Sequence, residues 1–175
     1  MIEKKLIIFI DSGDTIIDEG TEIRDENGIV FHAETIEGAA QALQYLHEAG
    51  YTIALVADGE EQSFTNMYQE NQLGYCFTSR TISEIVGQQK PSQSMFEDAL
   101  QQNNLSPEDK KRIVMIGNNI KKDVVGANRF GITSILLDWS PRYPMTPQSK
   151  EETPDYIIHK PAELVPLIEK LDSEL

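Results

Sequence analysis

The chain has 175 residues, 39% hydrophobic and 25% charged, which suits one compact domain with a real core and leaves little for a second. Its 29 acidic against 15 basic residues give a net charge of −14, so the average surface repels phosphate backbones and nucleic acid is not expected as a partner. No apolar run approaches the roughly 20 residues that cross a bilayer, and Leu6 to Ile10 is followed by acids rather than a small-residue cleavage site, so a cytoplasmic protein without membrane contact is expected. The single cysteine, Cys76, reads as a small buried hydrophobe, and His32, His47 and His159 are too scattered for a zinc cluster.

In chain order, Lys5 to Ile10 reads as a strand that ends on Asp11-Ser12-Gly13-Asp14-Thr15. Thr35 to Ala49 carries Ile36, Ala39, Ala40, Leu43, Leu46 and Ala49 at helical spacing, with Gly50 as its stop. Tyr51 to Ala57 is a second strand, Glu60 to Gln72 a helix, and Tyr75 to Ser79 a weaker strand. Ser92 to Asn103 is a helix with Phe96 and Leu100 on one face, and Ser106-Pro107-Glu108-Asp109 combines a cap, an N1 proline and an acidic first turn. Strands follow at Arg112 to Ile116 and Thr133 to Leu137, a weaker one at Tyr156 to His159, and helices at Lys121 to Phe130 and Ala162 to Leu171. Trp139 to Pro154, with Pro141, Pro144, Pro147 and Pro154, is a long loop.

Near-continuous Ile, Leu and Val in the strands imply burial on both faces, hence an α/β fold with a doubly wound parallel sheet between two helical layers. The active site of such a sheet lies beyond the carboxyl ends of its strands, where Asp11, Ala57-Asp58, Gly117-Asn118 and Asp138-Trp139 fall.

Three segments carry chemistry. A carboxylate at Asp11, with Gly13 and Thr15 after it, suits holding Mg²⁺ and attacking phosphorus, although Asp and Gly are equally ordinary strand-to-loop punctuation. Lys90, in Gly87-Gln88-Gln89-Lys90-Pro91 just before a helix, can neutralise that carboxylate and a phosphoryl oxygen; an exposed lysine before a proline is the plainer alternative. The strand ending at Ile116 delivers the Asn118 amide and then the Asp123 carboxylate to one loop, an oxygen shell for a hard cation.

The order of these pieces resembles the haloacid dehalogenase-like (HAD) superfamily, whose pattern is Asp-x-Asp-x-Thr, Ser/Thr after a strand, Gly-x-x-Lys-Pro, and Gly-Asp-x-x-x-x-Asp followed by a Gly-Ala-x-x-x-Gly segment. The resemblance spans nearly the whole chain and implies a Rossmann-like five-stranded parallel sheet, Mg²⁺, and a phosphorylated or other anionic substrate. It implies Asp11 as nucleophile, Thr15 as the motif-one hydroxyl and Lys90 as the charge-neutralising lysine. It further implies metal ligation by Asp11, the Gly13 carbonyl, Asn118 and Asp123, and phosphate binding around Ala57, Asp58 and Lys90.

Three positions depart from the pattern. Gly13 replaces the aspartate that protonates the leaving oxygen, a group contributing roughly 10² to 10⁴ in rate. Alkyl phosphates are therefore expected to be slow, and Gly13→Asp to accelerate them selectively. Ala57 removes a hydroxyl donor, with Asp58 beside it as a turn residue or a substitute proton carrier. Asn118 replaces a metal-bound aspartate, which weakens metal binding.

The implied architecture is a single HAD-like domain over residues 1–175, with residues 19–35 as a minimal cap whose Thr21 to His32 stretch is a β-hairpin flap turning at Asp25-Glu26-Asn27-Gly28. The segment is too short for the helical cap of phosphonatase-like members. Trp139, Arg142 and Tyr143 are placed over the pocket, with core packing of Trp139 and plain solvent exposure of Arg142 as the equally weighted alternative. Lys121 and Lys122 are read first as a solvated helix start and second as anion-facing. The reading that follows is a Mg²⁺-dependent phosphatase acting through an aspartyl-phosphate at Asp11, with weak activity from Gly13. The alternative is a catalytically impaired HAD-like binding or regulatory protein; a receiver-type phosphoacceptor is more remote.

Overall fold

The computed structural model describes residues 4–175. Its parallel sheet is built from β1 (Ile7–Ile10), β4 (Thr52–Ala57), β5 (Ser79–Ile82), β6 (Ile113–Gly117), β7 (Thr133–Leu137) and β8 (Tyr156–Ile158), in the order β5-β4-β1-β6-β7-β8. Two short strands, β2 (Ile23–Arg24) and β3 (Val30–His32), form the separate antiparallel hairpin expected from Thr21 to His32.

The continuous apolar runs are divided by the two-residue period of a strand. Ile8, Ile10, Ile53, Leu55, Val114 and Ile116 face one layer, with α1 (Ala39–Glu48), α2 (Glu61–Glu70) and α6 (Leu164–Ser173). Ile7, Phe9, Ala54, Val56, Ile113 and Met115 face the other, with α4 (Gln93–Gln102) and α5 (Val125–Phe130). A four-residue helix, α3 (Ser83–Val86), leads from β5 into the lysine loop. Both faces are covered, so the whole central sheet is core. No helix among the described residues is long and apolar enough to cross a membrane.

Several boundaries differ from expectation. The sheet has six strands rather than the five the resemblance implies, because the weak strand read at Tyr156 to His159 forms β8 and pairs with β7 at the edge. The strand expected at Tyr75 to Ser79 lies instead at Ser79–Ile82, and Gly74–Cys76 is a 3-10 turn that tucks Cys76 into the core. The first helix starts at Ala39, since Gly38 in the left-handed region (φ +82°) ends the preceding loop. Its end at Gly50 (φ +91°) is where the sequence places it. The helix expected over Lys121 to Phe130 begins one residue earlier as a π turn over Ile120–Val124 and continues as α5.

Candidate active site

The sheet register brings the first side chains together. Ile10 is level with Leu55 on β4 and Ile116 on β6, and the Asp11 N–H donates to the Ile116 carbonyl at 2.9 Å. Asp11 therefore leaves the sheet at its centre, beside the crossover where the chain switches from the β4–β5 side to the β6–β8 side.

Lys90 reaches this point from the loop before α4. Its ammonium lies 2.9 Å from Asp11 Oδ1, 2.7 Å from Asp123 Oδ1, and donates to the Val56 carbonyl at 2.8 Å, with only 1% of the side chain exposed. Burial pulls the Lys90 pKa down, but Asp11, Asp123 and Asp58 outweigh it, so the group is held protonated. Burial and then the Asp123 charge lift the Asp11 carboxyl above the usual range, with Lys90 partly offsetting them. Asp58 fixes the lysine loop: Oδ1 accepts from the Lys90 N–H and Oδ2 from Lys122 Nζ, both at 3.0 Å.

The loop after β6 is shaped by a close approach. A Cβ on Gly117 would lie 2.6 Å from the Asp123 Cβ and nearer still to its carboxyl, so only glycine lets Asp123 fold back on the strand end. Asp123 Oδ2 accepts from the Asn119 N–H at 3.0 Å. The terminal Asn118 atom facing β1 lies 3.1 Å from Asp11 Oδ2 and 3.2 Å from the Gly13 carbonyl oxygen. With its NH₂ there, Asn118 donates to both. With its oxygen there, three acceptors converge, a conflict that a cation resolves. Mg²⁺–oxygen distances of 2.0–2.1 Å place neighbouring octahedral ligands about 2.9 Å apart, close to these spacings. Asp11, Gly13 and Asn118 thus fit a hard cation, although no cluster of three His, Cys, Asp or Glu side chains among the described residues does.

These groups border a cavity of roughly 90 Å³. Four carboxylates (Asp11, Glu19, Asp58, Asp123) and two ammonium groups (Lys90, Lys122) line it, a formal charge of −2. Tyr143 adds an aromatic wall. A wider groove of roughly 680 Å³ along Asn128, Lys150 and Thr153 lacks such convergence, and its Arg129 is paired with Glu151.

The Glu19 side chain lies against the open face of Gly13. A Cβ on Gly13 would be 2.9 Å from Glu19 Cγ, 2.8 Å from Cδ and nearer still to Oε1. The other oxygen, Oε2, is 3.2 Å from Arg142 Nε, and the Glu19 N–H donates to Asp14 Oδ1 at 3.0 Å. Burial, then the charges of Asp14 and Glu22, push the Glu19 pKa up to about 7 against the pull of Arg142.

Residues 13–137 match the family described as haloacid dehalogenase-like hydrolase. The chain belongs to that family. The match takes in Lys90, Asn118 and Asp123 and begins two residues after Asp11. A glyceraldehyde 3-phosphate phosphatase from Methanopyrus kandleri is 27% identical over 129 residues, 74% of this chain and 54% of that protein. One from Pyrococcus furiosus is 27% identical over 139 residues, 79% and 55%. The chain thus spans about half the length of these curated relatives. In fold it resembles the HAD-hydrolase YfnB from Bacillus subtilis, crystallised with magnesium, at a TM-score of 0.75 and 16% identity over 95% of this chain and 99% of that one. A HAD phosphatase from Thermococcus onnurineus gives a TM-score of 0.66 at 20% identity, over 78% and 59% of the two chains.

Within this HAD frame, Asp11, Gly13, Asp58, Lys90, Asn118 and Asp123 all border the cavity. Asp123 is turned onto Lys90 and the Asn119 amide rather than toward the Asn118 oxygen cluster. Thr15 is not among the lining residues; it sits in an apolar niche with Ile10, Leu43 and Ile116, and its hydroxyl meets no hydrogen-bond partner among the described residues. Ala57 is buried in β4 and also stands outside the lining. Lys122 pairs with Asp58 while its side chain stays partly exposed, whereas Lys121 pairs with Glu152. Arg142 clasps the buried Asp14 carboxylate at 2.6 Å as well as Glu19, while Trp139 is 36% exposed and does not line the cavity. At its far end, the 139–154 loop is tied to α5 by Asn128 Nδ2, which donates to the Glu151 and Thr153 carbonyls at 2.8 and 2.9 Å. Sequence reasoning missed Glu19 as a site residue.

Proposed function

We propose that the chain is a phosphatase that transfers a phosphoryl group to Asp11 and then to water, with Mg²⁺ held by Asp11, the Gly13 carbonyl and Asn118. The observation that carries it is the division of the Asp11 carboxylate. One oxygen meets the buried Lys90 ammonium, and the other lies 3.1 Å from the end of the Asn118 side-chain amide, which is itself 3.2 Å from the Gly13 carbonyl oxygen. A bound Mg²⁺ would supply charge neutralisation and orientation for the phosphoryl oxygens. The formal −2 of the cavity lining would otherwise repel a phosphate dianion. Lys90 opposes the burial and the Asp123 charge that lift the Asp11 carboxyl, and lies within reach of an oxygen of the transferred group. The cavity has room for a phosphoryl group, and the relatives named for a triose phosphate favour a small phosphorylated substrate.

The test is phosphate release from acetyl phosphate, an aryl phosphate and glyceraldehyde 3-phosphate, with Mg²⁺ and with chelator. Release that depends on Mg²⁺ and vanishes in Asp11→Asn is expected. No release, or release unchanged in Asp11→Asn, overturns the assignment.

A second reading has one observation in its favour. With its NH₂ toward β1, Asn118 closes the cluster by donating to Asp11 Oδ2 and the Gly13 carbonyl, as suits a metal-free binding protein. Calorimetric titration with Mg²⁺ separates the two, since heat of binding abolished in Asp11→Asn excludes the closed arrangement.

A further inference from the structure

We infer that Glu19, eight residues along the chain from Asp11, carries the proton for the leaving oxygen in this protein. The inference rests on the phosphatase reading above. When Asp11 displaces an alkoxide from phosphorus, the departing oxygen needs a proton, and the Asp11–Thr15 turn offers no suitable side chain. Ser12 is hydrogen-bonded to Tyr68 at 2.7 Å, Asp14 is fully buried against Arg142, and Thr15 faces apolar residues. Gly13 has no side chain, and Glu19 fills the space one would take. Its backbone is pinned by Asp14, Oε2 is held by Arg142, and Oε1 is the atom turned to Gly13 beside the cavity that Asp11 lines. A carboxyl anchored at one oxygen and presented at the other is arranged for proton transfer.

The steps balance. As an Asp11 oxygen bonds to phosphorus and the ester P–O bond breaks, the Glu19 carboxyl gives its proton to the departing alkoxide and an alcohol leaves. The Glu19 carboxylate then takes a proton from water as that oxygen attacks phosphorus. The bond to Asp11 breaks, inorganic phosphate leaves, and both side chains return to their starting forms.

The same packing changes the expectation for Gly13→Asp. An aspartate there takes the space of the Glu19 carboxyl and pushes that flexible side chain aside, so the single variant exchanges one proton carrier for another and is not expected to gain alkyl turnover.

The experiment is rapid acid quench with radiolabelled acetyl phosphate and glyceraldehyde 3-phosphate, in wild type, Glu19→Gln and the double variant Glu19→Ala/Gly13→Asp. Acetyl phosphate expels a carboxylate that needs no proton. Glu19→Gln is expected to label Asp11 from acetyl phosphate at a rate within about threefold of wild type and to accumulate label because hydrolysis is slowed. Transfer from glyceraldehyde 3-phosphate should fall by roughly 10² to 10⁴. The double variant is expected to recover alkyl transfer to within about tenfold of wild type, which a merely structural role for Glu19 would not produce. Equal loss for both donors, or no loss for either, overturns the inference while leaving the phosphatase reading intact. Absence of both label and phosphate release in wild type defeats the two together.

Discussion

Replacing Lys90 with methionine tests whether the Asp11–Lys90–Asp123 cluster is as tightly coupled as its geometry implies. The ammonium is 1% exposed and meets two carboxylates and a carbonyl at 2.7 to 2.9 Å. Methionine fills much of the volume but leaves two buried carboxylates facing each other. Removing one partner of a buried charge cluster costs about 3–5 kcal/mol. In a chain of 175 residues, each kcal/mol moves the unfolding midpoint by about 2–4 °C. Thermal unfolding followed by circular dichroism, in chelator at pH 7.5, should therefore show Lys90→Met melting about 6 to 20 °C below wild type. Adding Asp123→Asn removes one of the two stranded charges and should restore about half of the loss. A Lys90→Met midpoint within about 3 °C of wild type, or destabilisations that simply add, would refute the coupling.

Three further outcomes are expected. Gly117→Ala drives a methyl group into Asp123, which Lys90 and Asn119 prevent from moving aside, and should cost about 1–3 kcal/mol in chemical denaturation; an unchanged midpoint would contradict the close approach. Asn118→Asp adds a charge to the oxygen cluster and should raise Mg²⁺ affinity roughly tenfold by calorimetry, whereas weaker binding would place the ion elsewhere. His159 should titrate above its ordinary value of 6.5, because Asp138 hydrogen-bonds its ring at 2.5 Å and adds opposite charge. The pair's contribution is complete below the unfolded-state pKa and is lost as pH rises through the higher folded-state value; NMR titration checks this, with Asp138→Asn removing the shift.

The central strands were legible because Ile, Leu and Val fill both phases of their alternation, as a sheet covered on two sides requires. The edge was harder to read. In β5 only Thr81 and Ile82 are buried, so Tyr75-Cys76-Phe77 looks more strand-like than the strand beside it. In the site, Lys90, Asn118 and Asp123 were visible because each is tied to a strand end or helix start by fixed spacing. Gly126 in the following segment has a packing reason: a Cβ there would strike the Phe96 ring at 2.6 Å, so the glycine lets α5 approach α4. Thr15 matched its motif, yet its hydroxyl is turned into the core by the local turn. Glu19 was not legible, because Asp18-Glu19-Gly20 reads as an ordinary polar turn and nothing in its spacing points to Asp11. Only tertiary packing against Gly13 reveals it.

The 139–154 loop is fastened at both ends, by Arg142 on Asp14 and Glu19 and by Asn128 beneath Glu151 and Thr153. A free segment of this length would surrender backbone entropy of about 1–2 kcal/mol per residue if a ligand had to immobilise it. Here folding has already taken that loss. Ligand binding beside Tyr143 then meets a wall in place, and little of the interaction energy is diverted to ordering the chain.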